Sequence, residues 1–594
     1  RSNISSAKNS MLLPANYPVR NYRDEVMKRV YERYQQLLDT SNAVDFDDLL
    51  LWAVRLLDEN PEVREKYAQR FEHVLVDEFQ DTNMAQYKLL GLLTSGHHNL
   101  FVVGDEDQSI YRWRGADSGN VLRFEQEYPK LQKVLLEQNY RSTQTVLDAA
   151  RSVIVRNQHR TPKHLFSERG RGEPVILYEA ADDHAEAAYV VDTIRQLMVG
   201  ERMPGGDFAV MYRTNAQSRL LEEAFFSAGL PYRLVGAQRF YGRREVKDII
   251  AVLRLVENPA DEISLLRVIN VPPRGIGGKT LESLQLAASK ANCSPAEVLL
   301  DLGRQGQASS YWAAFSGRGA NVLADFGALL VGWRETADTA GLPELFDRIL
   351  SDINYHAYIA DGTEEGNDRW DNVQELRKLA YQFQQQGLTA FLESLALVSD
   401  QDTLPEQTDA PTLLTLHTAK GLEFSHVFII GMDEGLLPHS RALDDPEEMA
   451  EERRLFYVGL TRAKNRLYLT RAAQRTSYGS FEYTEPSRFV EDIPAGLLKR
   501  QGVQMLSSRP ATDWAAPRWQ GTTLAPTPPP ATPVGRGEAQ FRPAMRVRHP
   551  TWGEGMVIES RLQDGDETVD VVFESVGIKR LVASMARLEI IRKA

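Results

Sequence analysis

The stretch "HVLVDEFQD", residues 73 to 81, is an apolar run of strand length that ends abruptly at charged residues. Three further stretches share this pattern: "LFVVGDEDQ" (100–108), "FAVMYRTN" (208–215) and "HVFIIGMDE" (426–434). Continuous rather than alternating apolarity predicts strands buried on both faces, as in parallel sheets covered by helices. Ligands of such sheets lie beyond the carboxyl ends of the strands, which is where these polar endings fall. The sequence therefore predicts an α/β fold with a ligand site at that edge.

The segments around these strands have other patterns. Residues 1–71 and 236–410 have mostly helix-like patterns. Neither range contains an apolar run of strand length that ends in acidic residues, so we interpret 236–410 as an inserted helical domain. The segment "EEMAEERRLFYVGLTRA" predicts a helix that Asp445 caps, with Pro446 in its first turn. Residues 505–540 are rich in Pro, Ala, Thr and Gly and predict a linker. Beyond it, alternating runs broken at "WGEG" and "QDGDE" predict a small β-barrel that recruits a partner.

Composition limits the classes of function. A chain of 594 residues is too long for one core, so we expect several domains. The net charge of −13 argues against broad affinity for nucleic acid, so such binding would depend on local clusters of Lys and Arg. The single cysteine, Cys293, excludes an internal disulfide framework and a cysteine metal cluster. The sequence has no apolar run of bilayer length and no secretory pattern at its start, which predicts a cytoplasmic location.

Asp77 and Glu78 stand together at the end of the first predicted strand. Two adjacent carboxylates suit a magnesium–nucleotide site, because Mg²⁺ needs few protein oxygens and a neighbouring Glu can deprotonate the attacking water. An isolated Asp-Glu pair is more often a simple turn at a strand end. Here Gln80, Asp81 and Thr82 follow, and the whole string favours the nucleotide site.

The stretch "VVGDEDQSIYRWRGA" adds aromatic and basic residues to a second strand end. Tyr111 and Trp113 alternate with Arg112 and Arg114, a pattern typical of surfaces that stack bases and neutralise phosphates. Core aromatics beside solvated charges are the alternative. Because the stretch follows Gln108, a candidate phosphate sensor, it predicts an element that couples nucleotide to DNA.

The stretch "PPRGIGGKT", residues 272 to 280, ends like a phosphate-binding loop. Its first glycine position holds Pro273, which has no N–H, and the preceding "SLLRVINVPP" predicts a helix rather than a strand. We instead predict a tight turn at Gly275 and Gly277 that opens a helix and grips duplex phosphates through its amides, Arg274 and Lys279. An ordinary helix N-terminus is the alternative. No other segment of the chain supplies a nucleotide loop.

Six pieces occur in the order seen in superfamily 1 DNA helicases: "DEFQDT", "GDEDQSIYRWRGA", "LEQNYRST", "YRTNAQSRLLEE", "TLHTAKGLEF" and "EERRLFYVGLTRA". Over nearly its whole length the chain resembles the UvrD/PcrA/Rep group, whose C-terminal barrel resembles the tail of this sequence. The resemblance implies two RecA-like parallel-sheet motor domains, the first incomplete, with helical insertions and a small Tudor-like β-barrel. The implied domains are 1–71 (insertion of the first motor), 72–137 (first motor), 138–235 and 411–504 (second motor), 236–410 (duplex-contacting helical insertion), 505–540 (linker) and 541–594 (barrel).

The resemblance also implies roles for residues of the first motor domain. Asp77 would hold Mg²⁺ through water, and Glu78 would be the catalytic base. Gln108 would contact the attacking water or the terminal phosphate, and Arg114 would face the nucleotide.

In the second motor domain, the resemblance places Tyr212 against adenine and Glu423 at the ribose. Arg213 and Arg462 would reach across the cleft to the terminal phosphate and stabilise transition-state charge, as arginine fingers do. A surface salt bridge is the alternative for each arginine.

The implied DNA contacts come from several segments. Tyr111 and Trp113 would stack on bases of the tracking strand, and His417 would touch the DNA backbone or relay the nucleotide state. Tyr478 is a further candidate for a base contact. The turn at Gly275, Gly277 and Lys279 would contact duplex ahead of the fork.

The function implied is an ATP-dependent 3′ to 5′ DNA helicase of repair or replication restart that uses ATP and Mg²⁺. Its partners would be single-stranded DNA, duplex junctions and, through the barrel, a protein such as RNA polymerase or a repair factor. The glutamine-bearing and Gly-Lys-Thr motifs of the family are expected before Arg1, so this chain alone is expected to be inactive. The alternative is a catalytically inactive module that binds DNA or recruits a partner.

Overall fold

The computed structural model describes residues 2–117, 119–158, 160–399, 409–477, 480–502, 545–549, 553–563, 566–573, 577–582 and 588–590. The chain divides into two compact units, Arg1–Ser507 and Ser508–Ala594. In the part of the chain that is described, no helix is long and apolar enough to cross a membrane.

The helices all belong to the first unit. They are α1 (Ser2–Asn9), α2 (Tyr22–Thr40), α3 (Phe46–Glu59), α4 (Pro61–Arg70), α5 (Met84–Leu93), α6 (Gly119–Glu127), α7 (Gln144–Ile154), α8 (Asp183–Gly200), α9 (Ser218–Ser227), α10 (Arg244–Glu257), α11 (Glu262–Val268), α12 (Gly278–Ala291), α13 (Pro295–Gln305), α14 (Gly317–Thr339), α15 (Leu342–Asp352), α16 (Tyr355–Ile359), α17 (Glu364–Gln382), α18 (Gly387–Ser399), α19 (Pro446–Leu460) and α20 (Arg488–Glu491).

The strands lie in both units. Those of the first unit are β1 (Val74–Val76), β2 (Leu100–Val102), β3 (Val175–Ala180), β4 (Phe208–Tyr212), β5 (Arg233–Val235), β6 (Thr412–Thr415), β7 (Phe424–Ile429), β8 (Ala463–Ala472), β9 (Gln474–Ser477), β10 (Ser480–Tyr483) and β11 (Leu498–Gly502). Those of the second unit are β12 (Arg546–His549), β13 (Gly553–Gln563), β14 (Asp566–Phe573), β15 (Gly577–Val582) and β16 (Glu589–Ile590).

A seven-stranded sheet forms the centre of what we call the second lobe, together with α7, α8, α9 and α19. Its order is β11-β3-β8-β7-β4-β6-β5, and every pair is parallel. Ala209 and Met211 of β4 pack with residues of α7 and α19 on one face, while Phe208 and Val210 pack with α8 and α9 on the other. The predicted α/β fold, with continuously apolar strands buried on both faces, is confirmed for this sheet.

Strands β1 and β2 pair in parallel in what we call the first lobe, the described residues of 72–137. Here the expectation of burial on both faces is wrong. Val76 and Val102 pack against the core around Phe79, but Leu75 is 72% exposed and Phe101 is 61% exposed. Side chains alternate across a strand, and among the described residues only one face of this two-stranded sheet is covered.

The helical predictions are confirmed. Residues 2–70 form α1 to α4, and α10 to α18 share one core around Trp333 and Phe346. The helix predicted from "EEMAEERRLFYVGLTRA" is α19, where the Asp445 side chain accepts hydrogen bonds from the first-turn amides of Glu447 and Glu448. An aspartate at this position satisfies amides that have no partner within the helix.

The second unit contains an antiparallel sheet in the order β15-β14-β13-β12-β16, with Val547, Val569 and Val571 in its core. Strand β12 pairs antiparallel with β13, and β13 with β14. Residues 553–555 of the predicted break "WGEG" belong to β13, and the predicted break "QDGDE" falls at the end of β13 and the start of β14. In the described part of this unit β15 and β16 are edge strands, so closure of the sheet into a barrel stays a prediction.

Candidate nucleotide and DNA site

Asp77 and Glu78 directly follow β1 and are both exposed. The Glu78 backbone is left-handed, with φ 47° and ψ 42°, and its N–H donates to Asp77 Oδ1 at 2.8 Å. Such a conformation is uncommon for a residue with a side chain and is found at functional sites. Glu78 Oε2 accepts from the Gln80 amide and lies 3.4 Å from Lys420 Nζ of the second lobe. The strand end thus presents Glu78 to Lys420 of the second lobe, with Asp77 exposed next to it in the chain.

These two carboxylates fit a magnesium–nucleotide complex better than a metal site built by protein alone. Among the described residues no group of three or more His, Cys, Asp or Glu side chains could hold a metal ion. Mg²⁺ in nucleotide sites takes one or two carboxylates and completes its shell with phosphate oxygens and water. Asp77, with one oxygen on its neighbour's amide and the other exposed, suits this role.

Arg462 and Gln108 join the two lobes. Arg462 is the residue before β8, and its Nη2 donates to Gln108 Oε1 at 3.1 Å, while its Nε donates to the Val458 carbonyl at 3.1 Å. Only 3% of Arg462 is exposed. Burial and, to a smaller extent, the positive charge of Arg141 lower the pKa of Arg462 to about 10, so the group stays cationic at neutral pH. The structure therefore brings Arg462, Gln108 and the acidic strand end together.

Lys420 lies at the same junction, although the sequence analysis assigned it no role. Its Nζ donates to the Gln108 carbonyl at 2.9 Å and pairs with Asp81, and it lies 5.2 Å from the centre of the Tyr111 ring. Burial raises the pKa of Asp81, and Lys420 opposes that rise. Its place in the quoted motif "TLHTAKGLEF" was the signal that could have identified it.

Tyr140 and Arg141 are also site residues that sequence reasoning missed. Arg141 Nε donates to Glu423 Oε2 at 2.7 Å, and Glu423 Oε1 lies 2.7 Å from Lys464 Nζ. Hydrogen bonds from Lys464 and Arg141 lower the pKa of Glu423 to about 2. Tyr140 is 78% exposed beside them. This group borders Arg462, because Arg141 Nη1 reaches the Thr461 carbonyl at 3.3 Å.

Tyr212 cannot lie against adenine, so that expectation is wrong. It is fully buried in β4, where it packs with Leu221 and Phe225 of α9. Burial raises the pKa of its phenol well above the usual value. The motifs "YRTN" and "NYRST" both contain a Tyr-Arg pair, and only the second places its tyrosine, Tyr140, on the surface.

Arg213 does not share a site with Arg462. Its Nε donates to Glu452 at 2.9 Å, and its Nη2 lies 3.3 Å from Glu364 of α17. Arg213 follows the carboxyl end of β4, whereas Arg462 precedes the amino end of β8, so they lie at opposite edges of one parallel sheet. The five residues of β4 separate those edges by roughly 16 Å. The prediction that Arg213 and Arg462 both reach one terminal phosphate is therefore wrong.

The aromatic candidates for contact with DNA bases lie instead at the carboxyl ends of the strands in the second-lobe sheet. Trp113 is 41% exposed, and its ring meets that of His417 edge-on, with centroids 6.4 Å apart. A cavity of about 230 Å³ is lined by both of these residues, Arg213 and His439. Tyr111 packs partly against the core of the second lobe, with Lys420 Nζ 5.2 Å from the centre of its ring, and its predicted contact with bases stays a prediction.

Three further predictions fall on residues outside the described part of the chain: Tyr478, the side chain of Arg114 and the linker at 505–540.

The segment 105–114 of the first lobe connects the two edges of the second-lobe sheet. At one end Gln108 meets Arg462, and at the other Arg112 Nη2 pairs with Glu447 Oε2 at 2.6 Å, at the start of α19. Between them Ile110 is fully buried in the core of the second lobe. The segment is therefore a continuous connection between Gln108 and Trp113 that packs against the second lobe.

The predicted turn at Gly275 and Gly277 is present and opens α12, with Gly277 at the N-cap. Gly275 has φ 79°, which favours glycine, and Lys279 is exposed in the first helical turn. Arg274 is not available to phosphate, contrary to expectation. Its Nη1 donates to the carbonyls of Val268, Ile269 and Val271 at 3.0 to 3.1 Å. Helix α11 precedes the turn, so this Gly-Lys-Thr is not a nucleotide loop.

Three family models match the chain. The UvrD/REP helicase N-terminal domain matches residues 1–129, the UvrD-like helicase C-terminal domain matches 134–296 and 330–474, and the PcrA/UvrD tudor domain matches 544–589. The ATP-dependent DNA helicase PcrA of Bacillus subtilis (strain 168) is 40% identical over 603 residues, covering 99% of this chain and 80% of that protein. The protein of the same name from Leuconostoc citreum is 39% identical over 609 residues, with the same coverage. The predicted resemblance is confirmed: the chain belongs to the UvrD-like helicase family.

Proposed function

We propose that the protein is an ATP-dependent DNA helicase that moves 3′ to 5′ along single-stranded DNA. The observation that carries this proposal is the hydrogen bond from Arg462 of the second lobe to Gln108 of the first, beside Glu78. It defines a cleft between two α/β lobes with acids on one side and an arginine on the other. The relatives named above are ATP-dependent DNA helicases.

In this proposal hydrolysis depends on groups of both lobes. Glu78 takes a proton from the attacking water, and Gln108 orients that water or the terminal phosphate. Arg462 and Arg141 stabilise the negative charge that develops on the phosphoryl oxygens. Asp77 holds Mg²⁺, which would neutralise phosphate charge when bound.

The remainder of the nucleotide is recognised at the amino edge of the second-lobe sheet. Tyr140, exposed next to Arg141, offers an aromatic face to adenine. Glu423, held ionised by Lys464 and Arg141, accepts hydrogen bonds from ribose hydroxyls. The contacts of Arg141 with Glu423 and with the Thr461 carbonyl, next to Arg462, support these roles.

DNA lies at the opposite edge. Trp113 stacks on bases, His417 contacts the backbone, and segment 105–114 transmits closure of the cleft to that edge. Gly275, Gly277 and Lys279 contact duplex phosphates ahead of the fork. The direction of movement and a role in repair or replication restart are supported by the family resemblance.

The domain limits given under the sequence analysis belong to this proposal, with two RecA-like motor domains on either side of the cleft. We assign partner recruitment to the tudor-like C-terminal unit, with RNA polymerase or a repair factor as its partner, and a cytoplasmic location to the protein. The tudor family match supports the recruitment role.

The test uses protein expressed from its complete coding sequence. The wild type is expected to hydrolyse ATP faster when single-stranded DNA is added, and to displace a strand from duplex with a 3′ tail but not with a 5′ tail. Glu78→Gln keeps the shape of the side chain but removes the base, so kcat is expected to fall at least about 100-fold while DNA affinity stays within a few-fold.

The matched control is Glu59→Gln, which changes an exposed glutamate paired with Arg55 on α3, away from the cleft. Its ATP hydrolysis is expected to equal that of the wild type. Retained turnover in Glu78→Gln would refute the role of Glu78. DNA binding by the wild type without any ATP hydrolysis would support the alternative of a non-catalytic binding module.

A further inference from the structure

A short segment of the second lobe, residues 160–163, contacts three consecutive acids of the first lobe. Arg160 Nη2 donates to Asp107 Oδ2 at 2.6 Å, and Thr161 Oγ1 donates to Glu106 Oε1 at 2.8 Å. Lys163 Nζ pairs with Asp105 Oδ1 and lies 3.3 Å from Asp107 Oδ2. The segment lies between α7 and β3, outside every motif to which a role was assigned.

Asp105 passes this contact on to Gln108. Its Oδ1 accepts from Lys163 and from the Asp107 amide, and its Oδ2 accepts from Gln108 Nε2 at 2.7 Å. The other end of the Gln108 amide, Oε1, accepts from Arg462. A continuous hydrogen-bonded chain therefore runs from Lys163 through Asp105 and Gln108 to Arg462.

This series of hydrogen bonds from Lys163 to Arg462 determines the orientation of the Gln108 side-chain amide. A rotation by 180° would place the amide NH₂ against the Arg462 guanidinium and the amide oxygen against the Asp105 carboxylate, and both contacts would be repulsive. Lys163 neutralises Asp105 and holds its Oδ1, which keeps Oδ2 directed at Gln108. Burial lowers the pKa of Lys163, but the charges of Asp105 and Asp107 raise it overall, so the lysine stays charged.

We infer that Lys163 is a positioning residue that acts through Asp105 to hold the Gln108 amide in the orientation needed for ATP hydrolysis. The inference rests on the proposed function, because it extends the role given there to Gln108. Lys163 is assigned no contact with nucleotide or DNA. Arg160 and Thr161 bind the segment to Asp107 and Glu106. Lys163 is the residue of the segment that is linked to Gln108, through Asp105.

The first experiment measures ATP hydrolysis with saturating single-stranded DNA for Lys163→Met, Lys163→Arg and Gln108→Ala. Lys163→Met is expected to lower kcat about tenfold while the KM for ATP and the affinity for DNA change less than about twofold. Lys163→Arg keeps the charge and is expected to recover most of the lost kcat. A lower kcat without recovery in Lys163→Arg, or a loss confined to KM, would overturn the inference.

A double variant separates positioning from a general structural role. If Lys163 acts through Gln108, the variant carrying Lys163→Met and Gln108→Ala is expected to be no slower than Gln108→Ala alone. Additive losses would contradict the inference. Arg195→Met is the control, because Arg195 forms an exposed ion pair with Asp192 on α8, and its kcat is expected to equal that of the wild type.

Hydrogen exchange gives a readout that needs no turnover. The Asp107 amide donates to Asp105 Oδ1, so loss of Lys163 is expected to speed exchange in peptides covering 105–111, and Arg195→Met is expected to leave it unchanged. Unchanged exchange in Lys163→Met would overturn the inference. A wild type without ATP hydrolysis would instead overturn the proposed function, and the exchange result would still decide whether Lys163 holds this segment.

Discussion

Arg462 and Arg213 use their guanidinium groups differently. Arg213 lies against two carboxylates, those of Glu452 and Glu364, which raise its pKa although burial alone would lower it. Arg462 donates only to carbonyl, amide and hydroxyl oxygens in its described hydrogen bonds, and burial lowers its pKa to about 10. A buried cation without a carboxylate partner gains most from an anionic ligand. At the residue scale Arg462 is therefore ready for phosphate, whereas the charge of Arg213 is already neutralised.

Tyr140 and Tyr212 differ in burial, since Tyr140 is exposed and Tyr212 is fully buried. Tyr140→Ala removes an exposed ring beside Glu423 and is expected to raise the KM for ATP about tenfold, with little change in stability, because stacking contributes about 1–1.5 kcal/mol. Tyr212→Leu removes the aromatic ring of the buried tyrosine and is expected to lower stability but to leave that KM unchanged. Steady-state ATP hydrolysis measures both. A raised KM in a folded Tyr212→Leu variant would contradict the conclusion that Tyr212 does not contact adenine.

His439 predicts a pH effect on stability. Burial, together with the charges of Arg213 and Arg441, lowers its pKa to about 4 from the usual 6.5, and its Nδ1 accepts a hydrogen bond from the Arg441 amide. Between pH 6.5 and 4 the unfolded chain therefore binds a proton that the folded protein does not, so stability falls as the pH falls through this range. From pH 7 to pH 5 this loss is about 1–2 kcal/mol.

The measurement compares urea unfolding of the wild type and His439→Asn at pH 7 and pH 5. Asparagine keeps an acceptor near the position of Nδ1 but does not titrate. The wild type is expected to lose about 1–2 kcal/mol more than the variant between the two pH values. Equal losses would show that His439 titrates normally in the folded protein.

At the scale of elements, one buried arginine supports the turn before α12. The Arg274 guanidinium donates hydrogen bonds to carbonyl oxygens at the end of α11 and in the following loop, and it lies 4.9 Å from the centre of the Phe326 ring. Asn270 accepts from the Arg274 amide at 2.7 Å, and Ile276 is buried in the helical core. The inward anchors leave Gly275, Gly277 and Lys279 on the outside of the turn.

Arg274→Met tests this support. It leaves helix-end carbonyls without their donor, at an expected cost of about 1–3 kcal/mol in unfolding free energy, and loosens the turn, so duplex affinity is expected to fall while single-strand affinity does not. Lys279→Ala is the comparison, and it is expected to weaken duplex binding without loss of stability. The slope of the logarithm of the binding constant against the logarithm of salt concentration is expected to fall in magnitude by about one. A fully stable Arg274→Met variant would contradict the anchoring role.

At the scale of the whole first unit, the candidate nucleotide groups and the candidate DNA groups lie at opposite edges of the second-lobe sheet. Helix α19 and segment 105–114 both run between those edges. Lys420, paired with Asp81, and Arg462, bonded to Gln108, tie the lobes together at the nucleotide edge. In the proposed function, closure of the two lobes on a nucleotide would therefore act on both edges together.

Arg141→Ala and Arg462→Ala test whether hydrolysis needs the second lobe. Each is expected to lower kcat at least about 100-fold, because each removes a cation from the charge that develops on phosphate. The double variant is expected to lose less than the product of the single losses, since the two residues serve one charge. Arg466→Ala, which breaks a peripheral pair with Glu201, is the control and is expected to retain full kcat. Normal kcat in Arg462→Ala would exclude Arg462 from the reaction.

Much of the architecture was readable from local pattern. Buried parallel strands need continuous apolar runs, helices need caps, and turns need glycine, so β4, β7, α19 and the turn at Gly275 follow from short stretches of sequence. The ordered motifs also identified the family. The acidic strand end and Arg462 each lie inside a distinctive string, which is why the sequence offered both as candidates; their roles stay predictions.

Only the tertiary structure decided which Tyr-Arg pair exposes its tyrosine, that Arg213 and Arg462 lie at opposite edges of the sheet, and that Arg274 holds a turn. It also brought Lys163 to Asp105, across 58 residues of chain. Burial, edge position and pairing depend on residues distant in sequence, because a side chain's surroundings come from the elements packed around it. Motif letters carry the chemistry of a residue, and packing determines where that chemistry is used.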